Sequence, residues 1–441
     1  MESYIENSLK EQIDKIKKET NSYSVGRISK ISDYIIEVRG LEDAAYYEEV
    51  QIQGGSIGYV NAISPNSISV AVVKKAGDYY VGDSVVATGK EFKAKYCMGS
   101  LGHIVDMFGR DKLADSEFEN LIEIPMENPC VPIRDRSAVC RPLRTGISGI
   151  DLIFPIGRGQ RQLIIGDKKT GKTQIALDTI ANQASEKTLC IYVAIGKTKK
   201  NIREIYYELS RRGAMNYTII ICAFNDDMPP VLSLTPYAAL AIAETYMNKG
   251  QDVLVVLDDM KRHADAYREI SLLTGKAPGR EAYPTDIFYA HARLLEKGCQ
   301  HKDGGSITIL PITETKGEDV TDYISTNLIS ITDGQIVLSK KSFDKGQKPA
   351  INYGLSVSRL GGAVQTKEIK GLGSKIRRDL LSYLERKEIY ELSNIDEMNE
   401  EMQNFIKKGS SILENLNQYK YSPKKEEEII ETFKEFEKQD S

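Results

Sequence analysis

The spacing of hydrophobic positions changes character along the chain, and each change marks a different kind of structure. Ile5, Leu9, Ile13 and Ile16 recur at helical spacing among Lys and Glu, which predicts a short amphipathic helix over 1–21. A terminal helix this short is marginal alone, so it either docks on its own domain or serves as a handle for another subunit. From Tyr23 to about Phe92 apolar and polar residues alternate, with Gly54-Gly55 and Pro65-Asn66 between the runs. Several short strands at this spacing predict a small barrel or sandwich over 22–92.

A connecting stretch rich in Gly, Pro and Arg follows, and then near-continuous apolar runs alternate with helical patterns. The runs predict strands at 162–165, 189–195, 217–223, 253–257, 306–310 and 335–338. Helices are predicted at 173–184, 201–212, 236–249, 267–273 and 286–296. Strands apolar on both sides are covered on both faces, so 93–365 is expected to be a largely parallel sheet between helical layers. Beyond Gln365 the strand signal stops. Helical patterns at 380–390, 396–416 and 426–438 predict a C-terminal helical domain over 366–441.

Composition narrows the class without naming it. A chain of 441 residues exceeds one ordinary core, and 41% hydrophobic with 28% charged residues is a globular balance. A net charge of −4 gives no general affinity for nucleic acid. Six scattered cysteines without a CxxC pair suit reduced thiols, and four histidines lack zinc-ligand spacing. The N-terminus has no signal-peptide core. Apolar runs such as 217–222 fall far below the ~20 residues that span a bilayer. Membrane association is therefore expected only through partners.

The chemistry concentrates at Gly166-Asp167-Lys168-Lys169-Thr170-Gly171-Lys172-Thr173. Gly, four residues, Gly-Lys-Thr between a strand and a helix is a P-loop in the context it requires. Its backbone N–H groups converge on phosphate, Lys172 reaches the terminal phosphates, and the Thr173 hydroxyl is a Mg²⁺ ligand. The strand over 253–257 emerges at Asp258 and Asp259. Asp258 is the candidate second Mg²⁺ residue, through water; the alternative is a helix cap for the residues from Lys261, a task Asp259 could take. Hydrolysis also needs a group that polarises water, usually a carboxylate. The strand after the P-loop helix ends at Lys197, which adds positive charge beside the terminal phosphate but cannot take a proton from water near pH 7. The alternative is that Lys197 points to solvent. Arg359, in the loop Tyr353-Gly-Leu-Ser356-Val-Ser358-Arg359, is unremarkable by itself.

With these residues aligned, the chain resembles the alpha subunit of the F-type ATP synthases. Long stretches carry the likeness: Arg144-Thr-Gly-Ile-Ser-Gly-Ile-Asp151, Pro155-Ile-Gly-Arg-Gly-Gln160, Pro278-Gly-Arg-Glu-Ala-Tyr-Pro284, Gly354-Leu-Ser-Val-Ser-Arg359 and Tyr421-Ser-Pro423. The resemblance implies an N-terminal β-barrel, a RecA-like P-loop domain and a C-terminal helical domain. It implies a ring in which alpha chains alternate with catalytic beta-type chains around a gamma-type shaft. The N-terminal helix could meet a peripheral stalk. The alpha chain would hold Mg-ATP or Mg-ADP without turning it over. Arg359 would act across the interface as an arginine finger at the beta site, with Ser356 supporting its loop. Lys348, Pro349 and Gln418 would contact the base. The complex would sit on the cytoplasmic side of a membrane, and residue usage leans towards a bacterial source.

Departures from the family stand beside this. Lys197 replaces Gln, Lys348 replaces Arg, Lys420 replaces Gln, Ser325 replaces Pro and Thr285 replaces Gly. The connection 113–131 looks reworked, and the chain stops soon after Tyr421-Ser-Pro423. These differences allow a specialised motor not coupled to proton-driven synthesis. A hexameric RNA helicase is a remote alternative in which Tyr46, Tyr47, Tyr59, Tyr79 and Tyr80 stack bases.

Overall fold

A computed structural model describes residues 24–390 and 400–439. The N-terminal amphipathic helix and the first residues of the expected 396–416 helix lie outside the described residues. Two compact units emerge. One contains the described residues to Phe92 with Ile270–Lys276, and the other contains Lys93–Glu269 and the chain from Ala277 onward.

The first unit settles the choice between barrel and sandwich. Strands β1 (Val25–Ser32), β2 (Ile35–Arg39), β3 (Glu48–Ile52), β4 (Ser56–Ser64), β5 (Ser67–Lys74) and β6 (Ser84–Glu91) close in the order β1-β2-β5-β4-β3-β6. Closure comes from β1 pairing antiparallel with β6, Val25 opposite Val86. Ile28, Ile36, Val38, Val50, Val60, Val70, Val72 and Val85 fill the interior, as period-two patterning requires. Tyr46 and Tyr80 are exposed, whereas Tyr47, Tyr59 and Tyr79 pack on their own unit. Tyr47 stacks on Tyr59 with ring centroids 5.5 Å apart, Tyr59 is buried, and the Tyr79 hydroxyl donates to the Asp33 carbonyl.

The second unit is built on one sheet. Its main strands are β7 (Ile104–Val105), β8 (Leu163–Gly166), β9 (Leu189–Lys197), β10 (Thr218–Phe224), β11 (Asp252–Asp258), β12 (Ser306–Glu314), β13 (Gly334–Leu338) and β14 (Val357–Ser358). They lie in the order β7-β10-β9-β11-β12-β8-β13-β14, parallel throughout except the last pair. The helices are α1 (Ser148–Ile153), α2 (Lys172–Ala181), α3 (Lys199–Ser210), α4 (Pro229–Met247), α5 (Met260–Leu273), α6 (Ile287–Leu295), α7 (Tyr323–Ile331), α8 (Lys340–Asp344), α9 (Lys367–Tyr390), α10 (Glu400–Leu416) and α11 (Glu426–Gln439). Consecutive residues of β9, β10, β11 and β12 are buried, so both sheet faces are covered. Alternate sheet positions such as Ile164, Ile220, Leu254 and Ile336 share one apolar core with Ile175 and Ile180 of α2. Ile376 and Leu380 of α9, Ile412 of α10 and Phe433 of α11 join it. The C-terminal helices are thereby part of the scaffold behind the P-loop.

Helix starts differ from the sequence expectation for local reasons. Helix α4 begins at Pro229-Pro230, where missing N–H groups are orphans anyway, and carries Pro236 inside. Helix α5 begins at Met260, immediately after Asp259, through a polar first turn that hides its period. Helix α7 was not evident in the sequence. Its cap is Asp322, which accepts the Ser325 N–H at 3.0 Å and the Ser325 hydroxyl at 2.6 Å. The unusual serine thus closes a cap. The 113–131 connection is held by short ladders, Ser116–Glu117 on Arg110–Asp111 and Ile122–Pro125 on Lys93–Tyr96.

Helices α5 and α6 meet through His263 and His291, fully buried, with Nδ1 of one 3.3 Å from Nε2 of the other. Burial pushes His263 down to about 4, and burial with the neighbouring ring pushes His291 well below the ordinary imidazole value. Both are neutral in the fold and take protons on unfolding below pH ~6.5. Stability is therefore expected to fall as pH drops from 7 to 5, by ~2 kcal/mol from His263 and further from His291. Urea unfolding at the two pH values checks this, and His291→Phe should shrink the difference.

Candidate functional site

The P-loop joins β8 to α2. Gly166 ends β8 between Glu314 of β12 and Leu338 of β13, and a Cβ there would lie 2.7 Å from the Leu338 carbonyl oxygen. Gly171 takes φ 101°, as only glycine does readily, and a Cβ on it would point into open space. Lys169 is also left-handed at φ 64°. This curl turns successive N–H groups inward at the start of α2, the arrangement that binds phosphate. The Asp167 carboxylate accepts the Thr315 hydroxyl at 2.7 Å and the Glu318 N–H at 2.9 Å. Thr170 donates to the Asp167 carbonyl, and Lys168 pairs with Glu314 at 3.4 Å.

Lys172 is buried, and its ammonium donates to the Gly166 carbonyl at 2.8 Å and the Asp167 carbonyl at 2.6 Å. Burial lowers its pKa, while the carboxylates of Asp259, Glu314 and Asp258 oppose that shift. A 580 Å³ cavity opens in front of this loop. Residues 169–175 line one wall; Phe343 of α8, Lys348, Pro349, Gln418, Tyr419 and Lys420 line the other. The volume suits a nucleotide-sized ligand. Lys348, Pro349 and Gln418 are therefore brought to the P-loop from segments far apart in sequence. The Gln418 amide, however, is engaged by protein: it accepts the Ser148 N–H at 3.0 Å and donates to the Gly146 and Ser422 carbonyls at 2.6 Å. It fixes the wall rather than offering a free amide to the cavity.

Asp258 ends β11, and Asp258 rather than its neighbour turns towards the loop. Its Oδ2 accepts the Thr173 hydroxyl at 2.8 Å. Asp259 takes the cap position, accepting the Lys261 N–H at 2.6 Å. Burial and the Asp258 charge push the Asp259 carboxyl up to about 7. Strand β9 lies beside β11, with Ala194 opposite Asp258. Lys197 does not point to solvent: Nζ sits 3.0 Å from Asp258 Oδ1. Carboxylates at this end of the sheet are thus each engaged, Asp258 by Lys197, Asp259 by the α5 cap and Glu314 by Lys168.

Tyr192 escaped the sequence reading. Its hydroxyl donates to Asp258 Oδ2 at 2.7 Å from the middle of β9, and burial raises its pKa well above the ordinary phenol value. The available signal was a hydroxyl in an otherwise aliphatic, doubly covered strand, where it must find an acceptor.

Arg359 lies outside the cavity and is exposed. Its backbone is fixed: its N–H donates to the Asp333 carbonyl at 2.9 Å, and the Asp333 carboxylate clasps Arg161 at 2.7 and 3.0 Å. Ser356 is buried one turn earlier, accepting the Val337 N–H at 3.0 Å and donating to the Asn352 carbonyl at 2.6 Å. The Ser358 hydroxyl donates to the Pro155 carbonyl at 2.7 Å. Among the described residues the guanidinium donates one long bond, 3.3 Å, to the Ile329 carbonyl. A rigid loop therefore presents a charged side chain at the surface of its unit.

A family model described as "ATP synthase alpha/beta family, nucleotide-binding domain" matches residues 146–358, which contain the P-loop, Lys197, Asp258 and Arg-bearing loop up to Ser358. The ATP synthase subunit alpha of Dehalococcoides mccartyi is 41% identical over 418 residues, covering 94% of this chain and 83% of the relative. That of Syntrophomonas wolfei is 41% identical over 420 residues with the same coverage. Barrel, RecA-like P-loop sheet and C-terminal helices occur here in the order this family has. The chain belongs to the ATP synthase alpha/beta family, as an alpha-type subunit of the F-type ATPases.

Proposed function

We propose that this chain holds ATP or ADP without hydrolysing it and lends Arg359 to the catalytic site of a neighbouring beta-type chain. The observation that carries the first half is the Lys197–Asp258 ion pair at 3.0 Å. Where a working site needs a carboxylate to accept a proton from water, this one has an ammonium, and the nearby carboxylates are committed. The residues that would hold a Mg-nucleotide are present: the Thr173 hydroxyl and Asp258 carboxylate are hard oxygen donors side by side, although Lys197 already pairs with Asp258. A bound Mg²⁺ would neutralise phosphate charge there. Residues 166–173 would hold the phosphates, Lys172 would neutralise the terminal ones, and Lys348, Pro349 and the Gln418 wall would face the base.

The second half rests on Arg359 being exposed on a loop that Ser356, Asp333 and Arg161 hold still. A guanidinium so placed serves a neighbour's phosphate better than its own site. The partners that follow are beta-type chains alternating in a hexamer, a gamma-type shaft and, at the N-terminus, a peripheral stalk. No described helix is long and apolar enough to cross a membrane. Placement at the cytoplasmic face of a bacterial membrane would come through those partners.

The test compares the purified chain alone with the chain mixed with a beta-type partner. Nucleotide should bind to the chain alone with negligible turnover, and turnover should appear on mixing. Hydrolysis by the chain alone at the rate of the mixture would overturn the assignment.

A further inference from the structure

Asp258 is more fully occupied by protein than a metal-bridging carboxylate needs to be. Its Oδ1 faces Lys197 Nζ at 3.0 Å, and its Oδ2 accepts from Thr173 at 2.8 Å and Tyr192 at 2.7 Å. The Asp258 side chain is 3% exposed and that of Lys197 is 19% exposed, so the pair is largely buried, joined to the cavity wall through Thr173. Its aim is built into the backbone. Gly196 takes φ 65°, and the β9–β10 ladder shifts register between Ile195 and Lys197. A bulge of this kind re-aims the side chain that follows it.

Thr173 and Asp258 are the two residues that bracket Mg²⁺ in a P-loop site. In this chain the bracket already carries a cation, tethered to β9. Pairing cancels the Asp258 charge and so weakens its pull on a free divalent ion. Phosphates entering the loop would meet the Lys172 ammonium at the cavity wall, with the Lys197 ammonium behind Thr173, across the Asp258 carboxylate. We propose that Lys197 replaces much of the divalent cation's charge, so that the site holds ATP or ADP with little dependence on Mg²⁺. This deepens the nucleotide-holding reading and rests on it.

The experiment measures equilibrium binding of a fluorescent ATP analogue to the full chain, in excess Mg²⁺ and in EDTA. The dissociation constant of the natural chain is expected to differ less than about tenfold between the two conditions. Lys197→Gln, checked for an unchanged melting profile, should widen that ratio to about 100-fold. A natural-chain ratio above tenfold, or a ratio that Lys197→Gln leaves unchanged, overturns the proposal. If the variant does not fold, the natural chain's ratio decides alone. Strong binding in Mg²⁺ with loss in EDTA sinks only the Lys197 role. Absence of binding in both conditions sinks the nucleotide-holding reading as well.

Discussion

Arg359→Ala is expected to lower the ATP turnover of the assembled complex by ~10³-fold or more, while this chain's own nucleotide stays bound. The size follows from what the guanidinium does in the proposed role. A preorganised positive charge meets the transferring phosphoryl group when charge develops on it, and nothing else on the loop replaces it. The loop itself should survive. Its hydrogen bonds come from the Arg359 backbone, Ser356 and Ser358, and among the described residues the side chain contributes the 3.3 Å bond to Ile329. Steady-state hydrolysis by the reconstituted complex, with bound nucleotide counted after gel filtration, measures both parts. Turnover at the natural rate would show that Arg359 is a surface arginine.

Lys172→Met separates the two sites from the other side. Methionine keeps the bulk of a buried, unbranched side chain but removes the ammonium that sits between the Gly166 and Asp167 carbonyls. Losing a charge-assisted contact to phosphate is expected to weaken nucleotide binding by about 100-fold. Because burial already lowers the Lys172 pKa, the substitution also removes a desolvated charge, and the fold should persist. Titration of the isolated chain with a fluorescent nucleotide reads the loss. In the complex, Lys172→Met should empty this site yet leave Arg359 able to act next door. Arg359→Ala should do the reverse.

How much of this was legible beforehand depended on how local each signal was. The P-loop and the carboxylates of β11 announce themselves within a few residues, because phosphate binding and strand burial impose short-range patterns. The charge at Lys197 was legible too, since it ends a run that reads as a strand. Its contact with Asp258 was not. That contact exists because β9 lies beside β11 in the sheet and because a bulge at Gly196 turns the lysine, and neither is a local property. Barrel and sandwich could not be told apart for a similar reason: closure depends on β1 meeting β6 across the whole first unit. Tyr192 carried no local signal of its partner, because Asp258 lies on the neighbouring strand. Gln418 shows the opposite limit. Likeness to a family gives it a contact with the base; it lines the cavity in front of the P-loop, but its amide is tied to Ser148, Gly146 and Ser422.

The most direct measurement follows the fate of the γ-phosphate. The isolated chain is loaded with ATP labelled at that position, freed of excess by gel filtration and sampled over time. On the proposed role, with Lys197 paired to Asp258, the label is expected to stay on ATP for hours and to leave only with the intact nucleotide. Release of labelled phosphate within seconds, the scale of a working site with turnover of ~1–100 s⁻¹, would contradict the claim that this chain grips nucleotide without cleaving it.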